Sequence, residues 1–291
     1  MGTIRHYDFV RARTCAEAVA LLAEGGLESR PIAGGTDLMV LRHKGGARWD
    51  RLVDVGGIQE MRDVRREGEA IVVGAAMTHA EIAEHPLIRD HLPALAQACH
   101  AIGSPQIRNR GTIGGNVANA AACADTLPAL VCLGARARII SPAGEGEMAV
   151  GQLVTGVNRT ALPPAGLIID FRVPAPPAGS RQAFIKIGRR QAQSIARLSL
   201  ACLGRLDDSG KVAEIRLTPG ACTSQVQRFG QAEALLLGKA PSEELVRQAG
   251  AAAAAQMVAI AGRRWSTAYK EPALAAIVER ALRRVFDLPG E

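Results

Sequence analysis

Aromatic residues are scarce in this chain of 291 residues: five Phe, two Tyr and two Trp make up 3% of it. A single-strand nucleic-acid platform needs aromatic faces on which bases stack, so the composition argues against one despite a net charge of +7. The arginines form no basic block. They stand in scattered pairs, Arg65-Arg66, Arg189-Arg190, Arg263-Arg264 and Arg283-Arg284, which reads as a solvated or partner-facing surface, and no nucleic-acid partner is expected. Long apolar runs are missing as well. The nearest candidate, the alanine-rich stretch 250–262, contains Gln256 and falls short of the ~18 to 20 residues a membrane helix needs, so no membrane span is expected. The opening MGTIRHYDFVRART holds no apolar core of a secretory signal, and the expected location is cytoplasmic. Six cysteines occur without C-x-x-C and six histidines without H-E-x-x-H. The cysteines therefore read as reduced thiols, mostly in cores, and no metal is expected on this chain. Neither G-x-G-x-x-G nor the G-K-[ST] of a P-loop is present, which disfavours a standard NAD fold or an NTPase. No Ser-His-Asp or paired-carboxylate constellation stands out, so the chemistry is not carried by side chains of those types.

Glycine is what the chain has in quantity, and two stretches place it in the same way. RPIAGGTDLMV, residues 30–40, sets Gly34-Gly35 with Thr36 after a short apolar run, and RGTIGGNVANA, residues 110–120, sets Gly114-Gly115 between Thr112 and Asn116. Without a Cβ the backbone can come close to a ligand and turn its N–H groups inward, a way of holding phosphate that needs no cationic side chain. Gly-Gly pairs are also common in plain turns. Two such nests in one chain suggest a pyrophosphate. Asp125 heads the apolar run DTLPALVCLGA, where it can cap a helix, accept hydrogen bonds from sugar or ribityl hydroxyls, or do both.

Capping signals and turns divide the chain. Thr14 and Glu17 have capping-box spacing before CAEAVALLAE, so a helix is expected there, followed by strands in SRPIAG and DRLVDV. A larger unit follows, with a strand in EAIVVGA, a helix opened by Thr78 and Glu81 and ending before Pro86, a helix in LPALAQACHAI, and strands in ARARIIS and GLIIDFRVP. The proline-rich VPAPPAGS marks a boundary. Beyond it, RLSLACLGRL and KVAEIRLTPGAC flank the hairpin signal DDSG, and Leu274, Ile277, Val278, Ala281, Leu282 and Val285 mark one face of a final helix. Three units are expected, over 1–56, 57–176 and 177–291.

PIAGGTDLMV, IRNRGTIGGNVANAAACADTLPAL and FIKIGRRQAQSIA together resemble the flavoprotein (medium) subunits of molybdenum hydroxylases, the family of bacterial carbon monoxide dehydrogenase and of the FAD domain of xanthine dehydrogenase. The resemblance spans essentially the whole chain. It implies an α+β architecture: an FAD-binding fold of the p-cresol methylhydroxylase/vanillyl alcohol oxidase type in two α/β lobes, plus a C-terminal lobe of antiparallel sheet and helices. By resemblance, Ile32, Ala33, Gly34, Gly35, Thr36, Asp37 and Leu38, with Thr112, Ile113, Gly114, Gly115 and Asn116, wrap the pyrophosphate and neighbouring groups. Asp125 then contacts the sugar-like chain of the flavin, and Lys186 lies near the isoalloxazine, its other reading being a lysine at a strand edge.

Two departures from the family are visible. Many relatives carry Ser-Pro where this chain has Ala121-Ala122, so a hydroxyl contact to the cofactor is missing there; and the cysteine-containing insertion of the branch with an extra iron-sulfur cluster is absent. Cys123 reads as a small buried side chain or, against that, a redox group. The implied function is that of an FAD-carrying electron-transfer subunit in a dimer of heterotrimers. A large molybdopterin-binding subunit and a small subunit with two two-iron clusters are the implied partners, and NAD, a quinone or oxygen the acceptor. A stand-alone FAD-dependent oxidase or reductase of the same superfold and a non-catalytic basic binding module are the alternatives.

Overall fold

Parallel strands cannot be joined by a tight turn, and the first part of the chain supplies the helices that such a sheet requires. A computed structural model describes residues 7–45 and 49–289, so the first six residues of the opening stretch read above lie outside it. In chain order come β1 (Asp8–Arg11), α1 (Cys15–Ala23), β2 (Ser29–Ile32), α2 (Leu38–His43) and β3 (Arg51–Asp54). The sheet has the order β1-β3-β2, with β3 parallel to both neighbours. Pro31 is accommodated in β2 because β2 lies at the edge. Thr14 caps α1 as its spacing predicts, Oγ1 accepting the Glu17 N–H at 3.1 Å. The Glu17 carboxylate takes the N–H of Arg13 instead of that of Thr14, so the box is half closed.

The second sheet is wholly antiparallel. Its elements are β4 (Val64–Glu67), β5 (Ala70–Gly74), α3 (His79–Glu84), α4 (Pro86–His91), α5 (Pro93–His100), α6 (Pro105–Arg108), α7 (Ile113–Asn119), α8 (Thr126–Cys132), β6 (Arg136–Ser141), β7 (Gly144–Ala149), α9 (Val150–Leu153), the short ribbon β8 (Val154–Gly156) and β9 (Arg159–Thr160), and β10 (Leu167–Pro174). The order is β4-β5-β10-β6-β7. The predicted strands in EAIVVGA, ARARIIS and GLIIDFRVP are β5, β6 and β10, and the capping box at Thr78 and Glu81 opens α3 with both of its bonds formed. The edge strands β4 and β7 carry no apolar alternation, and the sequence reading passes over them. At the centre, Asp170 is fully buried on β10 and takes two hydrogen bonds from Arg138, at 2.6 and 3.3 Å.

The third sheet is the meander β11 (Arg181–Ile187), β12 (Leu198–Leu206) and β13 (Val212–Gly220), covered by α10 (Gly230–Leu236), α11 (Glu243–Ala261) and α12 (Thr267–Phe286). Asp207 closes the DDSG hairpin, Oδ1 accepting the N–H groups of Ser209 and Lys211. Every residue of the predicted face of α12, from Leu274 to Val285 in the spacing given above, is buried. The first two sheets share one core; the third sheet and its helices form another, and β11 serves both. With a period of two, Ala183 and Ile185 face the helical core and Phe184 faces the core of the second sheet.

Candidate functional site

A cleft of about 690 Å³ opens between the first two sheets, with Arg11, Ala33, Gly34, Gly56, Arg110 and Thr112 among its walls. Its most distinctive part is the loop between β2 and α2. Gly35 there has φ +71°, a value glycine adopts without strain. Among the described residues, no protein acceptor takes the backbone N–H of any residue from 33 to 38. The last of these are the first-turn amides that any helix leaves unpaired, and Ala33 to Gly35 lengthen the row in a partly exposed loop. Gly34 is pressed against the second glycine stretch: a Cβ on it would lie 1.9 Å from the Arg110 carbonyl oxygen. The Arg110 side chain is exposed and pairs with no carboxylate among the described residues. A row of free N–H groups beside an unpaired guanidinium has the chemistry of a candidate anion site.

The second glycine stretch is built differently from the nest its sequence suggests. Ile113 donates its N–H to Met77 O at 3.1 Å, Gly114 to Ala75 O at 2.8 Å and Asn116 to Thr112 O at 3.0 Å, while Thr112 Oγ1 caps α7 through the Gly115 N–H at 3.2 Å. All four amides are already paired within the protein. Gly114 is required for packing, since a Cβ there would lie 2.7 Å from both Cβ and O of Ala75, at the end of β5. Gly115 is exposed, and Asn116 Oδ1 accepts the Thr126 hydroxyl at 2.6 Å, tying α7 to α8. This stretch is therefore a rigid wall beside the loop of free amides.

Beyond this wall stands a buried ion pair. Asp125 occupies the position before α8 but makes no capping bond; its carboxylate instead turns to Lys186, with Oδ2 2.6 Å from Nζ. The capping role predicted for it is not realised. Lys186 also donates to Ala101 O at 2.8 Å, and the two side chains are 12% and 5% exposed, so Lys186 is not a solvated edge lysine. Asp125 Oδ1 is buried with no partner. Burial pushes the Asp125 carboxyl up to about 6, against the pull of Lys186. Cys123, between α7 and α8, is partly buried and lies within electrostatic reach of Asp125, Lys186 and Asp37; burial raises its thiol, so it is a neutral group here.

Of the predicted residues, Ala33, Gly34 and Thr112 line the cleft, and Gly35 and Thr36 continue the loop. Ile32 closes β2 with its side chain under Gly35, Leu38 opens α2, and Asp37 lies exposed between them. Ile113 is buried in the core. Asp125 and Lys186 sit together, apart from the cleft walls. The sequence reading missed Gly56 and Gly57, which line the cleft after β3, and the ion pairs Arg11 to Asp54 and Arg62 to Glu81 beside them. The signal was available: VDVGG repeats the pattern of an apolar run followed by two glycines. His79, directly under Gly111, was missed too; it is buried, its Nδ1 has no partner, and burial with the neighbouring Arg108 lowers it to about 4.

Comparison with known proteins places this geometry. Residues 5–176 match the FAD binding domain in molybdopterin dehydrogenase, and residues 183–285 match the CO dehydrogenase flavoprotein C-terminal domain. The chain is 32% identical over 280 residues to the 6-hydroxypseudooxynicotine dehydrogenase complex subunit alpha of Paenarthrobacter nicotinovorans, covering 96% of this chain and 94% of that one. It is 33% identical to a putative xanthine dehydrogenase FAD-binding subunit of Escherichia coli, over 78% of this chain and 79% of the other. In three dimensions it is similar to a chain of carbon monoxide dehydrogenase from Hydrogenophaga pseudoflava, with a TM-score of 0.90 and 29% identity, covering 98% of this chain and 99% of that chain. These matches span nearly the whole chain, and the chain is a member of the FAD-binding flavoprotein family of molybdopterin dehydrogenases.

Proposed function

We propose that this chain is the FAD-carrying electron-transfer subunit of a molybdenum-containing hydroxylase, and that its cofactor is held by the residues described above. The observation that carries the reading is the row of unpaired amides over residues 33–38 beside the unpaired Arg110, which matches the charge and the acceptor oxygens of a pyrophosphate. A second observation is compatible with the same ligand: Asp125 Oδ1 is buried without a hydrogen-bond partner, an acceptor that a hydroxyl of the flavin's polyol chain would satisfy. Ile32 and Leu38 fix the ends of the amide loop; Thr36 and Asp37 complete it; Thr112, Ile113, Gly114, Gly115 and Asn116 form the wall that keeps it in place. When bound, FAD would supply the redox chemistry that links an electron-donating partner to an external acceptor such as NAD, a quinone or oxygen. The chain's own residues bind, orient and shield.

In this reading residues 1–56 and 57–176 are the two FAD-binding lobes and 177–291 the C-terminal flavoprotein domain. The partners are a large molybdopterin-binding subunit and a small iron-sulfur subunit, assembled as a dimer of heterotrimers in the cytoplasm. The names of the relatives support this coarse picture, since the Paenarthrobacter protein is a subunit of a dehydrogenase complex. Among the described residues no helix is long and apolar enough to cross a membrane.

The test is the visible absorption spectrum of the purified chain before and after addition of FAD, with acid release to identify the flavin. A two-banded oxidised flavin spectrum with FAD as the released species is expected. A chain that is colourless and takes up no added FAD, alone or with its partner subunits, would overturn the assignment.

A further inference from the structure

Trp265, in the turn between α11 and α12, is 88% exposed, yet the turn that carries it is closed. The Arg264 N–H donates to Thr267 Oγ1 at 2.8 Å, the Thr267 N–H returns to Arg264 O at 3.0 Å, and the Arg264 guanidinium holds Ala261 O at the end of α11. Thr267 is buried, so this clasp is shielded from water. A large indole held outward by a closed turn has little freedom left to lose on docking. Tyr269 in the first turn of α12, Ile260 in the last turn of α11 and Ile195 in the loop between β11 and β12 are exposed as well. Single exposed apolar side chains are ordinary; the charge around these sets them apart. The Arg197 guanidinium lies 5.9 Å from the centroid of the Tyr269 ring, and Arg197 and Arg264 are both within electrostatic reach of Lys270, whose ammonium turns to Ala221 O at 2.6 Å. Through Arg197, the loop that carries Arg189-Arg190 meets the turn that carries Arg263-Arg264. Arg263 pairs with Glu271 at 3.1 Å, but among the described residues no carboxylate pairs with Arg190, Arg197 or Arg264. Residues 248–262, which lead into the turn, bring no charge of either sign.

Trp, Tyr and Arg together are the side chains enriched at the centres of protein interfaces. A small molecule needs a pocket that encloses most of it, whereas Trp265 projects from the surface and calls for a socket on the other side. We infer that this patch docks a protein partner, another subunit of the chain's complex, which offers an apolar socket for Trp265 inside a rim of carboxylates that meets Arg197 and Arg264. The inference rests on the complex proposed above and adds the place where a partner closes on this chain. A second copy of the chain fits less well, since a two-fold contact through this patch would set the cations against their own kind.

The experiment is titration of the full-length chain into its purified large and small partner subunits, read by sedimentation velocity, with hydroxyl-radical footprinting of Trp265 in the free and the assembled chain. Strong protection of Trp265 on assembly is expected. Trp265→Ala weakens assembly by about tenfold or more, as the loss of a central anchor does. Arg197→Glu/Arg264→Glu weakens it by a similar factor near 0.1 M salt and little near 1 M, where charges on a rim are screened. Equal oxidation of Trp265 in the free and assembled chain, or wild-type affinity in both variants, overturns the inference. Self-association of the free chain that Trp265→Ala abolishes would give the patch to a second copy, and binding of a single-stranded oligonucleotide that Arg197→Glu/Arg264→Glu abolishes would give it to nucleic acid; either result overturns the partner named here. Wild-type chain that joins neither subunit overturns the subunit assignment itself, which separates the two failures.

Discussion

At the scale of single residues, the glycines of this chain divide by what surrounds them. Gly35 bends the amide loop with a positive φ; Gly34 and Gly114 are bare because backbone or a packed methyl occupies the place of a Cβ; Gly57 has nothing within 4 Å. The sequence shows the same letter at all four. Gly34→Ala is expected to destabilise the chain by about 1 to 3 kcal/mol, since the obstacle is the Arg110 carbonyl and cannot swing aside. Gly57→Ala should leave stability within about 0.5 kcal/mol. Urea unfolding of the two variants side by side is the check, and equal midpoints would remove the reason given for Gly34. Asp125 teaches the complementary lesson. Its place at a helix start was legible, but its partner is 61 residues further along the chain, and only the fold joins them.

At the scale of elements, local chemistry did much of the work. Thr78 and Glu81 close a full capping box, and Glu81 also pairs with Arg62, which donates to the carbonyls of Gly56 and Ala76 at the cleft wall. Thr78→Ala is expected to cost about 1 kcal/mol by urea unfolding, with Thr78→Ser restoring most of it. No loss on Thr78→Ala would mean that packing, not the cap, sets the start of α3. Helices with caps and strands with apolar runs were readable because their signals are local. β4 and β7 were not, because a polar edge strand is defined by the neighbour it pairs with. That the amides of the second glycine stretch are already taken was not legible for a related reason: whether an amide is free depends on which carbonyl faces it, and those of Ala75 and Met77 come from the segment after β5.

At the scale of the whole molecule, two buried titratable groups oppose one another. His79 is held neutral, its value lowered from 6.5 to about 4, so its contribution to stability is present above pH 6.5 and is lost as pH falls toward 4. Asp125 is raised from 3.8 to about 6, so its buried charge costs stability above pH 6, a cost relieved as pH falls toward 3.8. Each shift corresponds to about 3 kcal/mol at 1.36 kcal/mol per unit, and the signs are opposite. The cofactor-free wild-type chain should therefore show little pH dependence from this pair between pH 6 and 4. Asp125→Asn is expected to expose the acid lability due to His79, and His79→Leu to make the chain gain stability on acidification. Urea unfolding at pH 7 and pH 4.5 reads both; identical slopes in the two variants would refute the compensation.

The sequence by itself determined α1, α3, α5 and α12, the inner strands, the two glycine stretches and, through their combined resemblance, the flavoprotein family, because each depends on residues within a few positions of one another. The tertiary structure decided which glycine stretch keeps its amides open, that Gly56 and Gly57 join the cleft, and that Asp125 answers to Lys186 instead of to its own helix. Those facts concern which groups meet across distant segments. Hydrogen-bond satisfaction and burial are properties of such meetings, and a linear pattern does not contain them.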